Sequence, residues 1–154
     1  MPADETISLA TAADVAAIAP LFDAYRAFFA GYGDAVESRR FLDDRLARRE
    51  SVVFLARAGD EVAGFIQLYP LWSSWYCRRI WFLSDLYVAE SARQRGLGRR
   101  LVERVVAYAK ETKASSVMVE LPRREPHLAE FYAKLGFDRD EVFELARYLV
   151  LGDS

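Results

Sequence analysis

One cysteine, Cys77, and one histidine, His127, are all the thiol and imidazole chemistry in the chain. A lone cysteine cannot close an internal disulfide, and the pair leaves no metal-ligand cluster of the usual spacing and no Cys/His nucleophile couple. Any chemistry must use other groups. Long apolar runs are also missing: Arg, Asp or Gly interrupts each one well short of the ~20 residues that span a bilayer. The opening Met1-Pro2-Ala3-Asp4-Glu5 has neither the basic nor the apolar region of a secretory signal. Together these absences point to a reducing cytoplasm and to no membrane partner. Charge of one sign is lacking too. The formal net charge of -2 argues against nucleic acid held by the overall field. Basic residues bunch at Arg39-Arg40, Arg48-Arg49, Arg78-Arg79 and between Arg93 and Arg104. Most of these clusters read as solvated faces. There is no repeat, linker or low-complexity tract.

What is present is a core-forming composition. With 154 residues, 53% hydrophobic and 14% aromatic, the chain can form one domain over residues 1-154. Thr6 to Ala10 alternates as a short strand. Thr11 or Asp14 then caps a helix in which Val15, Ile18, Leu21, Phe22 and Tyr25 recur at helical spacing, closed by Gly31 and Gly33. A second helix is predicted from Glu37 to Arg49. The period then changes: Ser51 to Ala58 and Glu61 to Tyr69 are strand-like and joined by a hairpin turn at Gly59-Asp60. An aromatic loop, Pro70 to Cys77, leads to a long strand from Arg79 to Val88. A helix from Gly96 to Thr112, a strand from Ser116 to Leu121, a helix from Pro126 to Leu135 ended by Gly136, and a last strand from Val142 to Leu151 complete the reading. The strand-helix-strand unit from Phe82 to Leu121 is a parallel crossover. The fold class is α/β with a mixed sheet.

The most informative stretch is Arg93-Gln94-Arg95-Gly96-Leu97-Gly98-Arg99. It follows a strand and opens a helix, so unpaired backbone N-H groups and the positive end of a helix dipole meet where Gly96 and Gly98 let an anion approach. Neither the third glycine of a dinucleotide fingerprint nor the Lys-Ser/Thr of a Walker loop is present. Taken alone, the glycines also fit an ordinary tight turn.

Taken with Phe82-Leu83-Ser84-Asp85-Leu86-Tyr87-Val88 before it and Phe131-Tyr132-Ala133-Lys134-Leu135-Gly136-Phe137 after it, the pattern resembles the GNAT family of acetyl-CoA-dependent N-acetyltransferases. Within the family it looks most like the branch acting on polyamines and other small amines. The resemblance implies a mostly antiparallel sheet of six or seven strands, about four helices and a splayed parallel strand pair. It also implies acetyl-CoA as donor and coenzyme A as product. The main chain of Leu86, Tyr87 and Val88 would meet the pantetheine arm, and Gln94, Arg95, Gly96, Leu97, Gly98 and Arg99 the pyrophosphate, with Arg93 and its neighbouring arginines adding charge that salt partly screens. The family's usual acid matches Tyr132, a phenol that stays protonated at neutral pH. The resemblance also allows a homodimer.

Two departures stand out. Glu125 occupies the place of an Asn that often helps hold the cofactor. Positions matching a strand carboxylate base are Phe82 and Ser84, neither an acid, and strand alternation puts Asp85 opposite Ser84. The base is therefore unassigned. For the acceptor, Tyr25, Tyr32, Trp72 and Trp75 with Asp85 offer aromatic faces and charge suited to a cationic amine, and Asp34, Glu37, Asp43 and Asp44 add negative charge. The expected activity is acetyl transfer to a primary amine of a small molecule or peptide. The alternative is a non-catalytic acyl-CoA-binding or regulatory module.

Overall fold

The computed structural model describes residues 4–139 and 148–152. The chain divides into two compact units, Met1–Glu120 and Leu121–Ser154.

In the first unit, strand β1 (Glu5–Leu9) is followed by a 3-10 turn at Ala12–Asp14, helix α1 (Val15–Ala30) and helix α2 (Ala35–Ala47). Strands β2 (Val52–Ala58), β3 (Glu61–Ser73) and β4 (Arg78–Val88), helix α3 (Leu97–Glu111) and strand β5 (Ser116–Val119) complete it. The strands form one sheet in the order β1-β2-β3-β4-β5. Every pairing is antiparallel except β4 with β5, the parallel crossover that the sequence predicts. Five strands stand among the described residues, fewer than the six or seven expected. The expected final strand, Val142 to Leu151, falls for most of its length outside them.

The two sheet faces are covered by different helices. Val15, Ile18, Ala19 and Phe22 recur every three or four residues along α1 and bury with Leu42 of α2 against Val53, Leu55 and Phe65. Leu97, Leu101, Val102, Val105 and Ala109 form the buried stripe of α3. Its Tyr108 packs against Phe54 and Trp81 of the opposite sheet face. Gly64 of β3 lies beneath α3, where an added Cβ would sit 3.1 Å from the Tyr87 carbonyl oxygen and 3.4 Å from Leu101 Cδ1. The joint between α1 and α2 is held by Asp34, whose side chain accepts from the N-H groups of Val36 and Glu37, and by the buried Ser38 hydroxyl, which donates to Asp23 at 2.6 Å.

Two local readings are corrected. The aromatic loop is shorter than predicted: Pro70 to Ser73 continue β3, paired with Trp81 to Arg78, so that Trp72 is a strand residue and the turn is confined to 74–77. Proline is tolerated there because β2 pairs only as far as Leu68, leaving no partner to need the missing N-H. The second correction concerns parity. Gln67 pairs with Asp85 but Leu68 pairs with Leu83, so Ser84 is an extra residue in β4. Trp81 touches Tyr108 on the α3 face, whereas Asp85 and Tyr87 touch Tyr25 on the α1 face. A regular strand would put 81, 85 and 87 on one side. The bulge turns the rest of the strand over, and simple alternation misplaces Asp85.

In the second unit, helix α4 (His127–Lys134) carries Tyr132 and is followed by Gly136 at φ 93°, the left-handed conformation expected of a helix-ending glycine. Tyr148, Leu149, Val150 and Leu151 are exposed.

Candidate active site

The parallel pair β4–β5 opens part-way along. Pairing runs from Ile80 with Ser116 to Leu83 with Val119, and among the described residues β5 offers no partner to Ser84–Val88. The Ala89 N-H donates to the Ala63 carbonyl at 2.7 Å, which fixes which backbone groups face β3. By alternation, the N-H and C=O of Tyr87 and Asp85 point to β3, and those of Leu86 and Val88 point to the open edge. The Val88 carbonyl there accepts from Arg93 Nε at 3.0 Å. This edge can form main-chain hydrogen bonds to an amide-bearing chain laid along it.

At the end of the strand the backbone closes into a cradle. Gln94 at φ 65° and Gly96 at φ 77° are both left-handed, and successive residues of alternating hand point their N-H groups into a common concavity. Arg100 N-H donates to the Gly96 carbonyl at 3.0 Å, the first bond of α3. The N-H groups of Leu97, Gly98 and Arg99 therefore lie at the open helix end, where no side chain caps them. Leu97 is buried and anchors the turn. Nothing lies within 4 Å of a Cβ built on Gly96, so the approach is clear.

The arginines are less available than their number suggests. Arg93 stacks over the Tyr87 ring at 5.2 Å while holding Val88. Arg95 and Arg100 both pair with Glu5 of β1, at 3.5 and 3.1 Å, and Arg99 pairs with Glu103 at 2.8 Å. The backbone thus supplies the donors with the fixed geometry, and the side chains supply charge already partly balanced.

On the α1 face, Tyr25 and Asp85 come together: the Tyr25 hydroxyl donates to Asp85 Oδ1 at 2.7 Å. Gln67, which the sequence reading missed, donates from Nε2 to Asp85 Oδ2 at 3.0 Å. Burial pushes the Asp85 carboxyl above the usual carboxylate range, and hydrogen bonds from Tyr25, Gln67 and Ser84 pull it partly back. The other expected acceptor contacts lie apart from this pair. Tyr32 is exposed beside Arg26, its hydroxyl pushed up by the negative charges of Glu37 and Asp34. Trp72, five residues beyond Gln67 in β3 and so about 17 Å along the strand, stacks with Arg79 at 4.1 Å. Trp75 is exposed in the following turn.

In the second unit Tyr132 is 4% exposed, between the rings of Phe131 and Phe137. Burial pushes its hydroxyl up, so it is a protonated donor throughout the physiological range. Glu125 pairs with His127 at 3.4 Å.

Residues 18–137 match the family model described as Acetyltransferase (GNAT) family. An uncharacterized N-acetyltransferase of Bacillus subtilis, YhfO, is 36% identical over 137 residues, covering 89% of this chain and 92% of the relative. A probable acetyltransferase of Haemophilus influenzae is 30% identical over 137 residues, 86% of this chain and 92% of its own length. The crystal structure of a probable acetyltransferase superimposes with a TM-score of 0.90 at 36% identity, over 96% of this chain and 99% of that one. That family uses acetyl-CoA as co-substrate. A strand edge that opens onto a glycine cradle at a helix start, in a chain with such relatives, makes this protein an N-acetyltransferase of the GNAT family.

Proposed function

We propose that the chain, acting as one domain over residues 1-154, transfers an acetyl group from acetyl-CoA to the primary amine of a small molecule or peptide by direct attack on the thioester. The observation that carries this reading is the open β4 edge running into the cradle at Gly96. The main chain of Leu86 and Val88 would hold the pantetheine arm, and the N-H groups from Gln94 to Arg99 the pyrophosphate. When bound, acetyl-CoA supplies the activated acetyl thioester. The N-H groups on the same edge would polarise its carbonyl. Tyr132, kept protonated by burial, is proposed as the donor to the leaving sulfur.

The acceptor is proposed to be a cationic amine, polyamines among the candidates, with Tyr25 and Asp85 at its reacting end. Tyr32, Trp72 and Trp75 would serve as outer contacts of a longer acceptor. The non-catalytic alternative drew its support from the missing carboxylate at Phe82 and Ser84. Asp85, carried by the bulge onto the face where Tyr69 meets Phe82 and Tyr25 meets Tyr87, weakens that support. The test is calorimetric titration with acetyl-CoA followed by a free-thiol assay against polyamines, amino acids, aminoglycosides and basic peptides. Binding with amine-dependent thiol release is expected. Absence of binding would overturn the placement of the cofactor, and absence of release with every amine would overturn the transferase reading in favour of the binding module.

A further inference from the structure

Asp85 has no cationic partner among the described residues. Asp14 pairs with Arg57, Glu37 with Arg26, and Glu5 with two arginines. Asp85 meets only neutral donors, Tyr25 on one oxygen, Gln67 on the other and Ser84 from its own strand, although it is mostly buried. A desolvated carboxylate left without a counter-charge is costly to retain for structure alone, and the cost is offset once a cation arrives.

Gln67 sharpens the point. It is fully buried, its amide nitrogen is committed to Asp85, and its Oε1 has no hydrogen-bond donor among the described residues. An unsatisfied amide oxygen beside a carboxylate makes two acceptors with nothing donating to the first and room for a further donor on the second, since a carboxylate carries about four acceptor sites. The aromatic surround suits an ammonium group: the Tyr25 ring lies 5.1 Å from Phe29, 5.8 Å from Phe65 and 5.9 Å from Tyr87.

We propose that Gln67 and Tyr25 are positioning residues for the acceptor, holding Asp85 by one donor on each oxygen, and that the carboxylate so held receives the substrate's ammonium group and takes its proton. This rests on the transferase reading above and deepens it to the acceptor end of the site. The proton leaves the ammonium nitrogen for a carboxylate oxygen: one N-H bond breaks and one O-H bond forms. The lone pair left on nitrogen forms the new C-N bond as the C-S bond breaks, and the sulfur takes its electron pair and a proton from the acid. The second proton on nitrogen, acidic once the C-N bond has formed, returns to the acid's oxygen, leaving a neutral amide and a free thiol. The groups facing Asp85 are Tyr25 from α1, Gln67 and Tyr69 from β3, and Ser84 from its own strand; Arg45 of α2 acts on Tyr69 and is paired with Glu50 at 3.0 Å. The raised Asp85 carboxyl agrees with a group that must both hold and release a proton, though the geometry carries the assignment.

The test compares wild type, Gln67→Met and Tyr25→Phe, each near-isosteric, with two readouts. One is the pH profile of kcat/KM for the amine with the fastest thiol release in the panel above, at saturating acetyl-CoA. The other is the Asp85 carboxyl signal in 13C-aspartate NMR, assigned with Asp85→Asn, which needs no acceptor. Removing either donor should move the acid limb and the NMR titration upward by about one pH unit and lower kcat/KM for the amine, while the KM for acetyl-CoA is unchanged. A merely structural role would lower activity by the same factor at every pH. Unmoved limbs and an unmoved Asp85 titration in both variants, or full kcat/KM in Asp85→Asn, would overturn the proposal. Wild type that releases no thiol with any amine fails at the transferase reading instead, and the NMR titration still reports whether Gln67 and Tyr25 govern Asp85.

Discussion

Asp14 and Asp85 are both partly buried carboxylates, and they impose opposite pH dependences on stability. Asp14 accepts from the Thr11 N-H at 2.8 Å and from Arg57 at 3.0 Å, and the Thr11 bond, ahead of Arg57, holds its carboxyl below the ordinary value of 3.8. A carboxyl lowered in the folded state stabilises above that ordinary value, and the contribution is lost as pH falls through the lowered one. Asp85 is raised, so its favourable contribution is complete below 3.8 and lost as pH climbs through the raised value. Asp14→Ala should therefore cost about 1 kcal/mol at pH 7, and Asp85→Asn should gain about 1 kcal/mol there. Thermal unfolding between pH 2 and 8 reads both: the Asp85→Asn gain shrinks as pH falls through the raised value, whereas the Asp14→Ala cost holds down to 3.8 and shrinks only below it. At Tyr132 the expectation is kinetic. Tyr132→Phe should lower turnover by about 10²-fold or more while calorimetry finds the acetyl-CoA affinity unchanged; equal turnover would remove the residue from the acid role.

Among the elements, the cradle is the part that sequence makes most legible. Gly96 and Gly98 directly after an apolar strand specify a left-handed turn and a helix start, and the structure has them so. Gly96→Leu should abolish acetyl-CoA binding in calorimetry, while the φ of 77° adds about 1–2 kcal/mol of strain. The domain should still unfold cooperatively, because the added side chain points into open space. The parallel β4–β5 crossover was equally readable, since Ser116 to Val119 is an apolar strand returning after a long helix. The bulge at Ser84 was not. It leaves no mark in a two-residue period, because Ser84 and Asp85 are both polar and either parity buries an acceptable set of apolar neighbours. Gln67 was hidden for the same reason: a glutamine within an apolar strand reads as tolerated polarity until its partner across the sheet is known. Trp72 was misread because Pro70 signals a break, and only the end of β2 opposite Leu68 shows that no partner is offended. Deleting Ser84 should restore regular alternation with Leu83 still opposite Leu68 and Asp85 opposite Gln67, so Asp85 and Tyr87 stay on the α1 face and thermal unfolding remains cooperative.

Across the whole molecule, the net charge of -2 and the pairing of the cradle's arginines have a common effect. Glu5 lies 95 residues from Arg100 in sequence, so no local pattern announces that β1 balances the charge around the cradle. Glu5→Gln should tighten acetyl-CoA binding by roughly two- to fivefold at low salt, with a steeper loss of affinity as salt is added; calorimetry at two salt concentrations measures both. The five residues Ser84–Val88 show a division of labour with evolutionary weight. The backbone groups of Leu86 and Val88 face the open edge, while the side chains of Asp85 and Tyr87 face α1. Substitution alters side chains and leaves backbone donors where they were, so under the proposed assignment a lineage could change which amine it modifies at Asp85, Gln67 and Tyr25 without relearning how to hold its acetyl donor.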